Sequence, residues 1–543
     1  MNLKQLIEDI EHAFAHRSSL MMLLQEQAEN FYPQRADFTV QRHLGADFAS
    51  NLQTSYPIIV AREMSDQIGT MLRPTAKPWF YMKPEDPDRE NIEARRWLDR
   101  AQTIQRLAMY DRATQFTKAM KRGDADYAVF GQCPMSARLN RTRDRLLFQN
   151  WHIRDVVWLE DAEETKWVVA RKWKPTARDL QRTWGDKISD KVKEQLRKGH
   201  DFERTNCYHI VVMSELYDFN AGGWPYVSIH YDADHKYTME EKRQRNKEYF
   251  IPQWQKVSGS QYAYSPAVVA ALPDARLLQA IAVTLLEAGE KITNPPMLAV
   301  IDAVKSDMEI FAGGTTWLDR DYDEKMGEAL RPMNIDAKGM PIGLEMMQDC
   351  RQILGQAFYL NKLTLPQRTP EMTAYEVGQR VQEYIRAALP LFEPMEDEYN
   401  GQLCEVTFDL LMNSGGFGSE LDMPKSLRGA KVDFHFVSPL HDAIEQLKGA
   451  KFLEMGQYIS AAVQLDPSTA TIIDAPTTLR DVLKGVGVPA KWTRTEDEAK
   501  AIAEQHQAAA NAQAALTNMQ TGSQAIANLA AASKDRAAAG AQP

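Results

Sequence analysis

Residues able to do chemistry occur along the whole sequence, but not in the spacings that chemistry requires. A phosphate-cradling loop needs GxxxxGK followed by Ser or Thr, and the 543 residues contain none. The glycine-rich stretch Gly485-Val486-Gly487-Val488-Pro489 fails GxGxxG and follows no strand-like run. HExxH and GxSxG are absent as well. The 11 histidines are dispersed, and His230 and His235 straddle an expected turn with no third ligand nearby. They read as surface histidines. Glu160-Asp161, Glu163-Glu164 and Glu396-Asp397-Glu398 each fall in charged runs and read as solvated faces. General acid–base work needs one carboxylate in an apolar pocket beside a second. Cys133, Cys207, Cys350 and Cys404 lie too far apart for a CxxC motif or a disulfide framework, so reduced, buried thiols are expected. The residues therefore predict no catalytic site, no metal, no cofactor and no enzyme.

The elements that would position such residues are ordinary globular ones. Hydrophobic residues make up 44% and charged residues 25%, enough to bury real cores in three or four units at about 100–200 residues each. No apolar run reaches the roughly 18 residues of a membrane span. The longest candidate, 267–286, is interrupted by Pro273, Asp274 and Arg276. The first ten residues carry Glu8 and Asp9 and lack a signal-peptide pattern, so synthesis in the cytoplasm and no membrane partner are expected. The net charge is −10, from 74 acidic and 64 basic residues, the opposite of a protein built to hold phosphates tightly. The basic run Lys242-Arg243-Gln244-Arg245-Asn246-Lys247 is expected as a loop between two strands.

Periodicity predicts helix over most of residues 1–127: at 3–14, 20–31, 58–71 and 90–127, with a short strand at 77–82. Residues 128–260 then read as sheet, with strand-like runs at 127–131, 146–151, 156–159, 167–173, 208–213, 226–231 and 249–254, interrupted by helix at 177–198. Ser265-Pro266 starts a helix, cap then proline, that Asn294-Pro295-Pro296 stops. Pro273 allows a kink or a fresh start. Short strands and turns fill 297–342, a second helix covers 344–360, and a loop covers 361–369. Thr373 to Glu376 is a capping box opening a long helix through 413, bent at Pro390 and Pro394. A strand at 432–437, a helix at 443–463, a helical hairpin from Thr478 and an Ala-rich tail (a weakly packed helix, one ordered only by identical neighbours, or a partly disordered segment) complete an α+β, mainly helical chain.

This order of parts resembles the head-to-tail connecting family of short-tailed bacteriophages, the portal proteins. Two stretches carry the likeness. One is Tyr264-Ser265-Pro266-Ala267-Val268-Val269 through Pro273-Asp274-Ala275-Arg276, Leu286-Glu287-Ala288-Gly289-Glu290 and Asn294-Pro295-Pro296. The other is Pro370-Glu371-Met372-Thr373-Ala374-Tyr375-Glu376-Val377 through Pro394-Met395 to Phe408-Asp409-Leu410-Leu411.

The resemblance implies a homo-oligomeric ring of twelve subunits at one capsid vertex, with double-stranded DNA passing non-specifically. It implies the terminase large subunit, tail adaptor proteins and the major capsid and scaffolding proteins as partners. Residues 1–260 would be the wing, 261–293 the first stem helix, 294–343 a clip, 344–360 the second stem helix and 361–371 a tunnel loop. Residues 372–440 would be the long kinked helix and its return to the wing, and 441–543 a helical crown. Glu287 and Glu290 would form acidic rings if they face the channel, with Lys291 pairing with them or with the helix's negative end; otherwise all three lie on the stem's outer surface. Lys362 and Arg368 would touch phosphates, beside Gln367 and a collar of Leu363, Leu365 and Pro366. Trp317, Arg320, Asp321 and Asp323 would dock terminase or adaptor. A mildly acidic wall suits DNA that must slide. The competing readings are a tail adaptor or internal scaffold, which should lack the helix–insert–helix plan, and a carboxylate-based hydrolase.

Overall fold

A computed structural model of the chain describes residues 1–299 except 44, 50, 51, 76 and 218–221. It further describes 317, 330–333, 338–363, 390, 393–418, 422–436 and a few isolated positions beyond 450. The chain divides into two units, Met1–Asp86 with Leu98–His441, and Pro87–Trp97 with Asp442–Pro543. In the second, the described residues lie mainly around the turn Pro87–Arg89, where the Asn91 side chain accepts from the Ala94 amide and Arg95 pairs with Glu90.

The first unit is α+β. It opens with α1 (Leu3–His16), α2 (Ser18–Phe31) and α3 (Tyr56–Leu72). Asn2 and Gln5 form a capping box at the start of α1. After β1 (Phe80–Pro84) come α4 (Ile92–Tyr110) and α5 (Phe116–Phe130). The helix expected over 90–127 is thus broken, because Asp111 caps a short 3-10 turn and Gln115 takes a left-handed φ of 58°. The strand expected at 127–131 is instead the last turn of α5, so the helical region runs through Phe130. Residues 127–130 are buried on every side, and a fully buried helix end lacks the polar positions that separate it from a strand. Gly131, at φ 73°, ends α5; a side chain there would collide with the backbone of Tyr264 and Ser265.

Two antiparallel sheets follow. The first, in the order β3-β2-β9, comprises β2 (Met135–Leu139), β3 (Leu146–Asn150) and β9 (Tyr249–Phe250). The run expected over 249–254 stops early at Ile251-Pro252, since proline has no amide to donate. The second is a five-stranded meander: β4 (Val156–Glu160), β5 (Lys166–Trp173), β6 (Cys207–Met213), β7 (Tyr226–Asp232) and β8 (Tyr237–Gln244). The pattern did not reveal β2 or β8. Lys242 and Arg243, expected in a loop, pair with Ser228 and Val227 on this edge strand, where charged residues are tolerated because one side stays open.

Strand alternation gives the meander two faces. Val157, Val168, Ala170, Ile210 and Ile229 pack under Leu6 and Ile10 of α1. Val156, Trp158, Val169 and Val211 pack with Tyr249 and Ile251. At the far end, α6 (Ala177–Trp184) and α7 (Asp190–Arg197) place Leu180, Ile188 and Val192 against Cys207 and Met239. Arg17, between α1 and α2, donates to the carbonyls of Ile153 (2.8 Å) and Val156 (2.6 Å) and to that of Arg154.

Two long helices come next, α8 (Pro266–Thr293) and α9 (Gly339–Ala357). Pro273 is absorbed inside α8, which runs on as one helix. The second starts five residues before the expected 344, and α10 (Leu360–Leu363) follows it directly. The first residues of the expected 361–371 loop, Asn361 to Leu363, are therefore helical. Between α8 and α9, β10 (Met297–Ala299) pairs antiparallel with β11 (Leu330–Pro332). Past Pro394 the chain makes a π-helical turn, Glu396–Gly401, then α11 (Gln402–Asn413). Such a widened turn, shortly after a residue with no amide to donate, is one of the ways a helical backbone accommodates a proline. Finally β12 (Val432–Phe436) pairs with β1. The start of the long helix at 373 and the helix expected at 443–463 lie outside the described residues.

The ends are joined by a buried charge network. Arg73, after α3, pairs with Asp124 of α5, both nearly inaccessible. It also donates to Asn400 Oδ1 (2.9 Å) and lies 4.5 Å from the Tyr399 ring centroid. Asn400 in turn donates to the Leu72 carbonyl (3.0 Å). Arg73→Ala leaves a carboxylate buried without its cation, so urea denaturation should show a loss of about 3–5 kcal/mol, and Arg73→Met with Asp124→Leu should recover most of it.

Candidate functional site

The part of the fold that stands apart is the α8–α9 pair. Its root is anchored by many specific contacts. Ser265 Oγ donates to the Ala128 carbonyl at the end of α5 (2.6 Å) and accepts from the Val268 amide (3.3 Å), capping α8. Ala267, Val268, Ala271, Leu272, Ala275 and Leu278 are buried, and α8 packs on α2 and α5. Arg276 Nε donates to Glu26 Oε1 of α2 (2.6 Å). The Gln279 side chain serves the backbone of the preceding loop, accepting from the Gln53 (2.8 Å) and Thr54 (3.0 Å) amides and donating to the Thr54 carbonyl (3.0 Å). On α9, Cys350 and Leu354 are buried, Phe358 packs on Phe31 (5.3 Å between centroids), and the Arg351 carbonyl accepts from the Tyr56 hydroxyl (3.0 Å).

The two helices run antiparallel. Cys350 senses Asp274 near the root, while a side-chain carbon built on Gly343 would lie 2.7 Å from Leu285 Cδ2 farther out. Rising numbers on one helix thus meet falling numbers on the other. Beyond Ala282 on α8 and before Cys350 on α9 no residue is buried. Ile281, Leu285, Ala288 and Ile292 are half-buried at three- and four-residue steps and form the seam. The other faces are exposed and carry apolar side chains among charged and polar ones: Val283 and Leu286 on α8, and Ile342, Leu344 and Met346 on α9. At about 1.5 Å per residue, residues 283–293 carry this surface roughly 16 Å past the buried root. By length and composition α8 is long and apolar enough to cross a membrane, the one such helix among the described residues. Its root half packs on α2 and α5 and is ion-paired to Glu26 of α2.

Glu287, Glu290 and Lys291 lie on the exposed outer part of α8, and none has an ion-pair partner among the described residues. Trp317 is exposed; Arg320, Asp321 and Asp323 lie outside the described residues, as do Leu365, Gln367 and Arg368. Lys362 and Leu363 close α10. β10 and β11 show that the insert leaves and rejoins the hairpin at its outer end, with the Met333 amide donating to the Pro296 carbonyl (2.7 Å).

The structure offers little for a hydrolase. Ser189, His235 and Asp232 do meet, but Ser189 Oγ (3.3 Å) and Asp232 Oδ2 (2.7 Å) approach the same nitrogen, His235 Nδ1. A nucleophilic serine and its orienting carboxylate must sit on opposite ring nitrogens. Here the serine caps α7 instead. All four cysteines are buried and free, and burial pushes the Cys133 and Cys404 thiols well up, away from reactive thiolate. No group of three or more histidine, cysteine or carboxylate side chains is placed to hold a metal among the described residues. One expectation is overturned: His152 and His209 are buried and His230 is largely so, the rings of His209 and His230 being stacked at 4.2 Å. Strand alternation alone could have signalled this, since His209 and Val211 share a face.

Comparison with known proteins supplies what a single chain cannot. Residues 3–493 match the model of the bacteriophage head to tail connecting protein family. The chain belongs to this family. The connector is 24% identical to a probable portal protein of Bordetella phage BPP-1 over 439 residues, 79% of this chain and 77% of that one. It is 20% identical to the portal protein of Salmonella phage epsilon15 over 458 residues, 83% of this chain and 81% of that one. A chain from the neck of an empty gene transfer agent particle shares 11% identity at a TM-score of 0.34, covering 74% of the connector and 86% of that chain. The family is a structural one of the phage virion.

Since Gly343 meets the flexible end of Leu285, Gly343→Ala should be absorbed by a rotamer change. Gly343→Leu should overpack the seam and cost about 1–3 kcal/mol, read as a lower thermal midpoint and greater exchange of α8 and α9 amides.

Proposed function

We propose that this connector is the repeating subunit of a portal ring: twelve copies around a channel at one capsid vertex, through which double-stranded DNA is packaged and later ejected. The observation that carries the reading is the outer half of the α8–α9 hairpin, whose exposed apolar side chains have no cover among the described residues. Contiguous exposed apolar surface marks an interface. In a ring of identical subunits each hairpin is covered by its neighbours through a heterologous contact that closes by rotation. The two phage relatives named as portal proteins support the same reading.

In this assignment residues 1–260 form the wing, 261–293 and 344–360 the stem, 294–343 the clip, 361–371 the tunnel loop, 372–440 the long helix and 441–543 the crown. The clip, with Trp317, Arg320, Asp321 and Asp323, docks the terminase large subunit and then tail adaptors. The wing meets the major capsid and scaffolding proteins. Glu287 and Glu290 line the channel as acidic rings, with Lys291 beside them. Lys362 and Arg368 touch phosphates, beside Gln367 and a narrow collar of Leu363, Leu365 and Pro366. Such contacts carry no sequence information, so DNA slides. The role is mechanical, without catalysis or cofactor.

Negative-stain micrographs of the purified protein should show rings with a central hole wide enough for duplex DNA; a population of compact single subunits at assembly concentrations would sink the reading. Lys362→Glu with Arg368→Glu should assemble normally but lower packaged-genome yield, measured as nuclease-protected DNA per particle. An unchanged yield would remove the tunnel-loop assignment.

A further inference from the structure

Two histidines sit in the meander, His209 buried and His230 largely so, and neither has a carboxylate within hydrogen-bonding range. His209 on β6 and His230 on β7 are direct cross-strand neighbours, with rings 4.2 Å apart and 15° from parallel. His209 uses both nitrogens on hydroxyls, Nδ1 with Tyr249 (2.6 Å) and Nε2 with Ser228 (3.0 Å). Hydroxyls donate or accept, so the neutral ring is fully satisfied. His230 has no hydrogen bond among the described residues. Its Nδ1 is buried without a partner, and Glu240 stands 3.7 Å away. Trp173 and Trp184 pack around it at 6.1 and 5.1 Å. A ring that forms no hydrogen bond packs no better than phenylalanine; what distinguishes it is that it titrates.

The surroundings oppose that titration. β5 contributes Arg171, held over the rings of Trp151 (3.9 Å) and Trp173 (4.8 Å). β2 contributes Arg138, and β8 contributes Lys242 and Glu240. Next to β9 stands Glu248, 3.8 Å from His209 Nε2, and β9 itself brings Tyr249. α6 brings Trp184. Three cations face two carboxylates, so a proton on either ring would add positive charge to a site already in excess. Burial, and then these cations, push His230 down to about 3 and His209 well below the usual histidine range.

We propose that the stacked His209–His230 pair is an acid-sensitive latch in the sheet half of the chain: while neutral it lets α6 and α7 seal the meander, and when protonated it releases them. The sign follows from linkage. Closed, both rings stay neutral; opened, they regain an ordinary pKa of about 6.5 and take up protons. The closed form is therefore fully favoured above about pH 6.5 and loses ground as pH falls from there toward about 3, where His230 charges in place. Each ring favours opening about tenfold per pH unit below 6.5, so at pH 4.5 the pair contributes up to about 10⁴-fold and one ring about 10²-fold.

The test is hydrogen exchange by mass spectrometry on the full-length protein between pH 7.5 and 4.5, corrected for intrinsic rates. Residues 177–197 and 207–232 should lose protection on acidification, with α8 as internal reference. His230→Phe should keep its protection at pH 7.5 and show about 10²-fold less acid-driven opening at pH 4.5. A folded His230→Phe protein with the wild-type acid response overturns the proposal. If that variant does not fold, deuteration of the imidazole C2 position in the wild type gives each histidine's pKa by mass. A value near 6.5 for His230 overturns the proposal, and one several units lower upholds it.

Discussion

The Arg73–Asp124 ion pair is the contact on which the arrangement of the first unit turns. It fixes α5 against the end of α3, and Tyr399 and Asn400 bring the chain's return helix to the same point. Burying two charges is unfavourable unless they are paired and fully hydrogen-bonded, so only one mutual placement of these segments is tolerated. α5 then sets everything that leaves it. Its last carbonyls receive Ser265, and Gly131 lets the Tyr264–Ser265 backbone pass at a distance no side chain allows. The direction of α8, and of the hairpin it starts, follows.

That hairpin is built on two different principles along one length. At its root, contacts are specific and polar: Arg276 with Glu26, Gln279 with the 53–54 backbone, Tyr56 with the Arg351 carbonyl. Farther out, among the described residues, the helices pack on each other, and apolar side chains such as Val283, Leu286, Ile342 and Leu344 are exposed. The rooted half gives a defined direction, and the outer half presents exposed apolar side chains. The meander, by contrast, is covered on both faces by its own chain, with α1 on one side and Tyr249, Ile251, α6 and α7 on the other. It is closed except for a polar row at its centre, where the two stacked histidines lie.

Local signals fixed much of this before any coordinate was known. Ser265-Pro266 and Asn294-Pro295-Pro296 bounded α8 to within a residue, because a cap and a proline act on their nearest neighbours alone. Most strands of the meander were legible from β-branched and aromatic runs. The family likeness was legible too, and it rested on the same stretches. The failures come from surroundings that local pattern does not encode. Residues 127–130 looked like strand because nothing polar marked a helix period; β8 looked like loop because an edge strand tolerates charge. His230 looked like a surface residue because a lone histidine carries no label for its environment.

The sequence by itself determined the bounds of α8, most strands of the meander, the absence of catalytic motifs, and the helix–insert–helix order on which the family likeness rests. The tertiary structure alone decided that Arg73 meets Asp124 across 51 residues and Asn400 across 327, that Gly343 faces Leu285, and that one half of α8 is buried while the other is bare. The reason is range. Caps, prolines and periodicity act within a turn or two of the chain, whereas burial and charge pairing depend on which distant segments arrive at the same place, and that is settled only when the whole core closes.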